Sequence, residues 1–449
     1  MSAHEPPDIR RSMERLAADG IDVVRVTYPD LMGTDRARDV LLEELPRAME
    51  HGLAFCRAVY HTSPQGDVVP VGGGLDAGLP DITVRPDLDT LTALPWEPGV
   101  ATCLADVVDP ATGAPAPESP RDLLRGVLAR CRERGLRPVV GPELEYFLCE
   151  PDPAGGWRRY ARDSGVVYTA GLRADPDNHL LRTLRHVRDL RIGVLGGNHE
   201  FDGGQFEINL LHSEALSAAD RAFRFKAAIK ELARREGRLA TFMAKPFNDA
   251  GGSGFHLHLS CEDAGGRNAF DDPAGAYGLS ATARHAVAGV LAHAPALAAL
   301  ANPTVNSYKR FGPDTLAPWL VDWGLDNRSA MVRIPPERGS GARLELRLGD
   351  AGANPYLLVA ATVAAALLGV EAAEEPPAPL EGYGYDTARA PVLPQDLTAA
   401  LDALEADTAL TELLGKGFTA AFLTYKRDEV ERFRRHVTDW EFTEYAHHL

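Results

Sequence analysis

The sequence predicts an α+β protein of two parts, a small strand-rich one followed by a larger mixed one. Three observations carry that reading. Residues 67–120 are dense in Gly and Pro and hold short β-branched stretches. The run ATGAPAPESP has the composition of a linker. From Pro120 onward apolar residues recur at helical spacing, and helices alternate with strands to the C-terminus. The parts are placed at 1–115 and 116–449, and a chain of 449 residues can bury a large core.

The elements follow in order. Residues 9–19 read as a short helix, Val23–Tyr28 as a β-branched strand, PDLMGTD as a turn and Ala101–Val108 as a strand. Leu123, Leu124, Val127, Leu128 and Cys131 share one face of a helix over Pro120–Gly135. Residues 137–149 form a strand, and 213–236 a long helix capped by Ser213. Strands are expected at 252–260, 329–334 and 342–348, and helices at 354–373 and 395–436. The longest apolar run, Tyr356–Val370, is short for a membrane span and reads as a buried Ala-rich helix.

Bulk composition narrows the function. Hydrophobic content of 45% and charged content of 25% are those of an ordinary globular chain. Lys plus Arg is 47 against 64 for Asp plus Glu, and the net charge of −17 argues against nucleic acid or anionic membrane as partner. Cys56, Cys103, Cys131, Cys149 and Cys261 form no CxxC pair, so neither a zinc site nor a disulfide framework is expected. The start MSAHEPPDIRRSM has no apolar signal region, and a cytoplasmic location is expected.

Chemistry concentrates in four short blocks: GPELEYF with Glu143 and Glu145, NHEFDGGQFE with Glu200 and Glu207, GGSGFHLHLS with His256, and ARLELRLGD with Glu345. Five carboxylates and one imidazole suit hard divalent cations such as Mg²⁺ or Mn²⁺. Each block has a plainer reading. Glu143 and Glu145 alternate onto one strand face, which could be solvated, although the apolar neighbours argue for burial. Glu200 and Glu207 could be exposed acids of a hairpin around Gly203 and Gly204. Arg343, Glu345 and Arg347 could form a surface ion-pair ladder. The Gly-rich loop before His256, His258 and Ser260 could be a linker, or could bring backbone N–H groups to a ligand. Arg310, Arg328, Arg333 and Arg347 interleave with the acids, as a site handling phosphate and carboxylate requires.

Taken together and in order, GPELEYF, HEFDGGQFE, ATFMAKP, GSGFHLHLS, NSYKRF, DNRSAMVRIP, ARLELRLGD, ANPYL and VTDWEFTEY resemble the motifs of the glutamine synthetase family. The resemblance runs along nearly the whole chain. It implies an N-terminal β-grasp-like domain and a larger catalytic domain with a curved antiparallel sheet and helices. It also implies stacked rings, a homododecamer, with each active site formed between neighbours. By position, Glu145, Glu200 and Glu207 would hold one Mg²⁺ or Mn²⁺, and Glu143, His256 and Glu345 another at the phosphates of ATP. His258 and Ser260, with Arg328 and Arg333, would contact the nucleotide. Arg310 would grip the glutamate α-carboxylate, Gly252 would meet its amino group, and Arg347 would face the acyl phosphate.

The departures point to the acceptor. Ammonia-using members carry a flap like KRLVPGYEAP; here it is KRFGPDTLAP, with Leu316 at the position of the flap glutamate. Their FDGSS-like segment corresponds to LAFCRAVYHTS, which puts Cys56 where an ammonium-binding Asp would be, and Gly251 replaces the Asn of NGSG. Leucine offers no charge to an ammonium ion but does offer apolar surface to a carbon chain. The expected activity therefore resembles that of γ-glutamyl-amine ligases that use polyamines, ethanolamine or alkylamines. Glutamine synthesis from ammonia and a catalytically silent relative are the alternatives. Asp314, Glu207 and His61 are candidates for the base that deprotonates the amine.

Overall fold

In the computed structural model, which describes residues 9–162, 167–313 and 315–449, helix α1 (Ile9–Ala18) leads into a first sheet. Its strands are β1 (Val23–Pro29), β2 (Asp35–Leu41), β3 (Leu53–Cys56), β4 (Asp81–Ala93) and β5 (Val100–Val108), with α2 (Leu45–His51) between β2 and β3. Val24, Val26 and Tyr28 alternate onto the buried face of β1. The order is β2-β1-β5-β4-β3, and β1 and β5 run parallel while the other pairs are antiparallel.

The chain then enters α3 (Pro120–Glu133), β6 (Arg137–Pro151), β7 (Trp157–Arg159), α4 (His179–Asp189), β8 (Val194–His199), β9 (Gln205–Leu210), β10 (Ser213–Glu214), α5 (Ala215–Arg235), β11 (Leu239–Thr241) and β12 (Phe255–Glu262). It continues through α6 (Ala281–Ala292), α7 (Ala294–Ala301), β13 (Trp323–Leu325), β14 (Val332–Ile334), β15 (Leu344–Leu346) and α8 (Pro355–Ala372). Helices α9 (Leu397–Ala406), α10 (Thr408–Leu414), α11 (Lys416–Arg434) and α12 (Asp439–Tyr445) close it. The second sheet runs β13-β14-β15-β12-β6-β9-β8, with β7, β10 and β11 also pairing with the long central β6. The α+β class expected from the sequence is what the fold shows, with a small first sheet and a larger curled one.

Three local expectations change. Ser213 lies in β10, and Glu214 caps α5 instead, its carboxylate accepting from the N–H groups of Leu216 and Ser217. The expected helix 395–436 is three helices, broken where Asp407 caps α10 and where Gly415 turns at φ 96°. Helices α6 and α7 went unpredicted because they are Ala-rich and buried on most sides, so no amphipathic stripe marks them. Helix α8 is long and apolar enough to cross a membrane, but 78% of that window is buried inside the protein.

Two buried polar devices join the sheets. Arg121 of α3 donates to Asp220 of α5 through Nε and Nη2, both at 2.9 Å, to Asp87 of β4 at 2.8 Å, and to Asp106 of β5. Tyr356 of α8 donates to the same Asp220 at 2.7 Å. Asn354 caps α8 by accepting from the Tyr356 N–H, and its amide donates to the carbonyls of Asp30 and Leu31, both at 3.2 Å. A side chain on Gly33 would meet Asn354 at 3.1 Å, and Gly33 also turns at φ 76°, so both room and conformation call for glycine there.

Candidate active site

Strand register assembles the acids and the imidazoles. Glu143 of β6 lies opposite His256 of β12, and Glu145 opposite Glu207 of β9. His258 lies opposite Glu345 of β15, which in turn faces Arg333 of β14. Directly opposed side chains in such pairs are neighbours, so five adjacent strands deliver one continuous polar face. Leu144 and Tyr146, on the other face of β6, are fully buried.

The carboxylates divide into two electrostatic classes. Glu345 is 1% exposed, which excludes a surface ladder, and it accepts from Arg333 and Arg347, each at 2.6 Å. Despite burial, which alone would raise it, the Glu345 carboxyl is held down to about 2, chiefly by the charge of Arg347. Glu143 is lowered as well, against burial, by the neighbouring imidazoles of His256 and His258. Glu200 and Glu207 go the other way. Burial and neighbouring carboxylates push Glu200 up to about 7 and Glu207 up to about 8. Glu145, Glu200 and Glu207 thus form a crowded acid group that accepts hydrogen bonds from the side chains of Asn198, Gln205 and Asn209 and from the Gly254 N–H. Crowded, buried carboxylates with amide donors suit a hard divalent cation.

The histidines differ in use. His256 Nδ1 lies 3.7 Å from both Glu143 and Glu345. His258 Nε2 lies 2.9 Å from Glu143, while Arg343 Nε donates to His258 Nδ1 at 3.0 Å. Glu143, His258 and Glu345 also offer one donor atom each within 4.8 Å of one another. Ser260, His258, Glu143 and Arg343 line a cavity of about 250 Å³ with Val139, Leu210 and Ser340 among its walls.

The Gly-rich loop is shaped by close approach. A Cβ on Gly252 would meet Arg310 Cγ at 2.3 Å, and one on Gly254 would meet His256 Nε2 at 2.8 Å and Glu145 at 3.0 Å. Arg310 is buried, donates to the Leu348 carbonyl at 2.7 Å, and is lowered by burial against the opposing charges of Asp350 and Glu145. Arg347 Nε donates to the Arg328 carbonyl at 3.0 Å. Arg328 itself is exposed and lines an open cleft of about 940 Å³ with Arg333.

Leu316 and Cys56, which the sequence singles out as bearing on the acceptor, lie in different parts of the fold. Leu316 is 42% exposed in a left-handed conformation, φ 59°. Cys56 ends β3, the edge strand of the first sheet, with Sγ 3.7 Å from the Leu79 carbonyl. Among the candidate bases, His61 is buried 3.5 Å from Glu118, Glu207 sits in the acid group, and Asp314 lies outside the described residues. Gln205 was missed from sequence, although it shares a strand face with Glu207 and donates to Glu145 at 2.9 Å and to the Gly252 carbonyl at 3.0 Å.

A curled sheet that gathers acids, imidazoles and arginines defines a metal- and phosphate-handling enzyme, and comparison with known proteins gives its kind. Residues 117–445 match the family described as glutamine synthetase, catalytic domain. Glutamine synthetase of Halobacterium salinarum is 34% identical over 97% of this chain and 96% of its own, and that of Rhizobium meliloti 36% identical over 94% and 96%. The chain belongs to the glutamine synthetase family, a family of ATP-dependent ligases that use divalent metal. Among solved structures, the complex of GmaS with ADP is similar at a TM-score of 0.84 and 35% identity, covering 97% of this chain and 99% of that one. GmaS is a γ-glutamylmethylamide synthetase. A novel glutamine synthase homolog matches at a TM-score of 0.81 and 27% identity, covering 99% of both chains.

Proposed function

We propose that this protein is a γ-glutamylamide synthetase, joining the γ-carboxylate of glutamate to an organic primary amine at the expense of ATP. The observation that carries the reading is Leu316, an exposed apolar residue at the position of the flap glutamate. The likeness to GmaS supports it. In the first step a γ-carboxylate oxygen of glutamate attacks the γ-phosphorus of ATP, and ADP leaves. In the second the amine nitrogen attacks the acyl carbon, the C–N bond forms, orthophosphate leaves with the C–O pair, and the nitrogen gives up a proton.

The roles we assign follow the chemistry of each group. Arg310, packed on Gly252, grips the α-carboxylate, and Gly252 meets the amino group. Arg328 and Arg333, on the rim of the open cleft, face the transferring phosphate, and Arg347 faces the acyl phosphate. His258 and Ser260 line the cavity proposed for the nucleotide. Glu145, Glu200 and Glu207 would hold one divalent cation, and Glu143, His256 and Glu345 a second. Bound Mg²⁺ or Mn²⁺ would neutralise phosphate charge and polarise the acyl group.

We also propose a cytoplasmic ring oligomer, a dodecamer, built from domains at 1–115 and 116–449, in which Cys56 of one subunit approaches a neighbour's acceptor site. The exposed edge position of β3 is compatible with that placement. Glutamine synthesis from ammonia is the second reading, favoured by the full-length identity to relatives named glutamine synthetase. Phosphate release from ATP with glutamate and Mg²⁺, measured across ammonia, ethanolamine, putrescine, spermidine and alkylamines, separates the two. Stimulation by an organic amine well above that by ammonia is expected; stimulation by ammonia alone would establish glutamine synthesis.

A further inference from the structure

The segment 377–393 is laced along the stretch that carries Leu316 and Arg328. Trp323 Nε1 donates to the Pro377 carbonyl and the Leu380 N–H to the Trp323 carbonyl, both at 2.7 Å. Asn327 donates to the Gly382 carbonyl at 2.6 Å, and the Gly384 N–H to Ser329 Oγ at 2.9 Å. The Val321 N–H donates to the Pro391 carbonyl at 2.8 Å. A Cβ on Gly384 would meet Leu380 at 2.8 Å and Ser329 Oγ at 2.9 Å, so the turn is jammed against the residue that follows Arg328.

Two aromatic rings ride on that turn. Tyr383 and Tyr385 pack with centroids 4.7 Å apart and planes tilted by 59°. The Tyr385 hydroxyl donates to the carbonyl of Ala317, next to Leu316, at 3.1 Å. Its phenol also lies within electrostatic reach of Arg310. Tyr385 is thereby held on two sides, by the flap through Ala317 and by Ser329 through Gly384. Tyr383 remains 56% exposed beside it and Leu316 42% exposed.

We propose that Tyr383 and Tyr385, with Leu316, form the wall of the acceptor site that recognises the carbon chain of the amine, making the two tyrosines specificity-determining residues. The inference rests on the amine-ligase reading and adds the substrate class: a primary amine with an alkyl or aryl body. An amine arrives largely as a cation, which aromatic faces attract. Its methylenes gain by leaving water against Leu316 and the rings.

The test is kcat/KM for phosphate release with methylamine, n-butylamine, n-hexylamine and benzylamine, for the wild type, Tyr383→Ala and Tyr385→Phe. The wild type is expected to favour the longer and aromatic amines. Tyr383→Ala should lower the hexylamine-to-methylamine ratio about tenfold. Tyr385→Phe, which keeps the ring and loses the tether to Ala317, should lower the ratio by a smaller factor. Unchanged ratios in both variants, or one uniform loss for every amine, would overturn the inference while leaving an amine ligase. A wild type stimulated by ammonia and by none of these amines would remove the amine-ligase reading itself.

Discussion

His258 Nε2 lies 2.9 Å from Glu143 Oε1, and in that pair the imidazole is the donor. Arg343 Nε, which can only donate, occupies His258 Nδ1, so the ring proton sits on Nε2. His258 therefore orients a carboxylate, and His256 is left as the imidazole free to ligate between Glu143 and Glu345. His256→Ala should abolish turnover, whereas His258→Ala should cost about 10–100-fold in activity or metal affinity, as loss of an orienting partner does. Mn²⁺ titration with steady-state rates checks the order; equal losses would mean that both rings ligate.

Glu200 and Glu207 make the metal-free protein pH-sensitive in an unusual sense. Both carboxyls bind protons more tightly folded than at their ordinary value of 4.5. Their contribution to stability is therefore full below about pH 4.5 and is lost as pH rises through about 7 for Glu200 and about 8 for Glu207. In chelator, Tm should fall between pH 5 and 8 in the wild type by more than in a Glu200→Gln, Glu207→Gln double variant. Added Mn²⁺ should restore Tm most at pH 8, where the acids are free of protons. An equal fall in wild type and variant would count against the crowded acid group.

Leu316 is exposed, so a polar side chain can replace it without loss of core packing. Leu316→Glu should raise kcat/KM for ammonia about tenfold relative to alkylamines, by supplying a charged acceptor for ammonium. If the ratio stays put, Leu316→Glu combined with Cys56→Asp is the next variant, because the sequence departs from ammonia-using members at both positions.

Arg121 is 2% exposed and answers three aspartates at once. Arg121→Met leaves Asp220 facing Tyr356 with its cation gone, and breaking such a buried pair costs about 3–5 kcal/mol. Urea denaturation should show that loss. A change below about 1 kcal/mol would class the cluster with surface ion pairs.

The alternation in GPELEYF and ARLELRLGD made the polar face of the second sheet legible from sequence, because a strand's period puts Glu143 with Glu145 and Arg343 with Glu345 and Arg347. The split in acid behaviour was not legible. It arises from cross-strand neighbours far away in sequence, such as Arg333 beside Glu345 and Glu207 beside Glu145. The proton position on His258 depends on Arg343, 85 residues away. Ser213 and Glu214 both pair with β6, and Glu214 is the cap because it stands immediately before the first helical residue, Ala215. Helices α6 and α7 carried no pattern because burial on most sides erases one.

Asn354 gives the chain an order of assembly in time. Its amide closes the turn at Asp30 and Leu31 from 324 residues downstream. At about 5–20 residues per second, roughly 15–65 s separate synthesis of the two partners. During that interval the first sheet can pair its own strands, but the carbonyls of Asp30 and Leu31 lack their final donor, and the start of α8 does not yet exist. Closure of that turn by Asn354 is thus a late event of biosynthesis, whereas the contacts of Arg121 with Asp87, Asp106 and Asp220 need only residues made earlier.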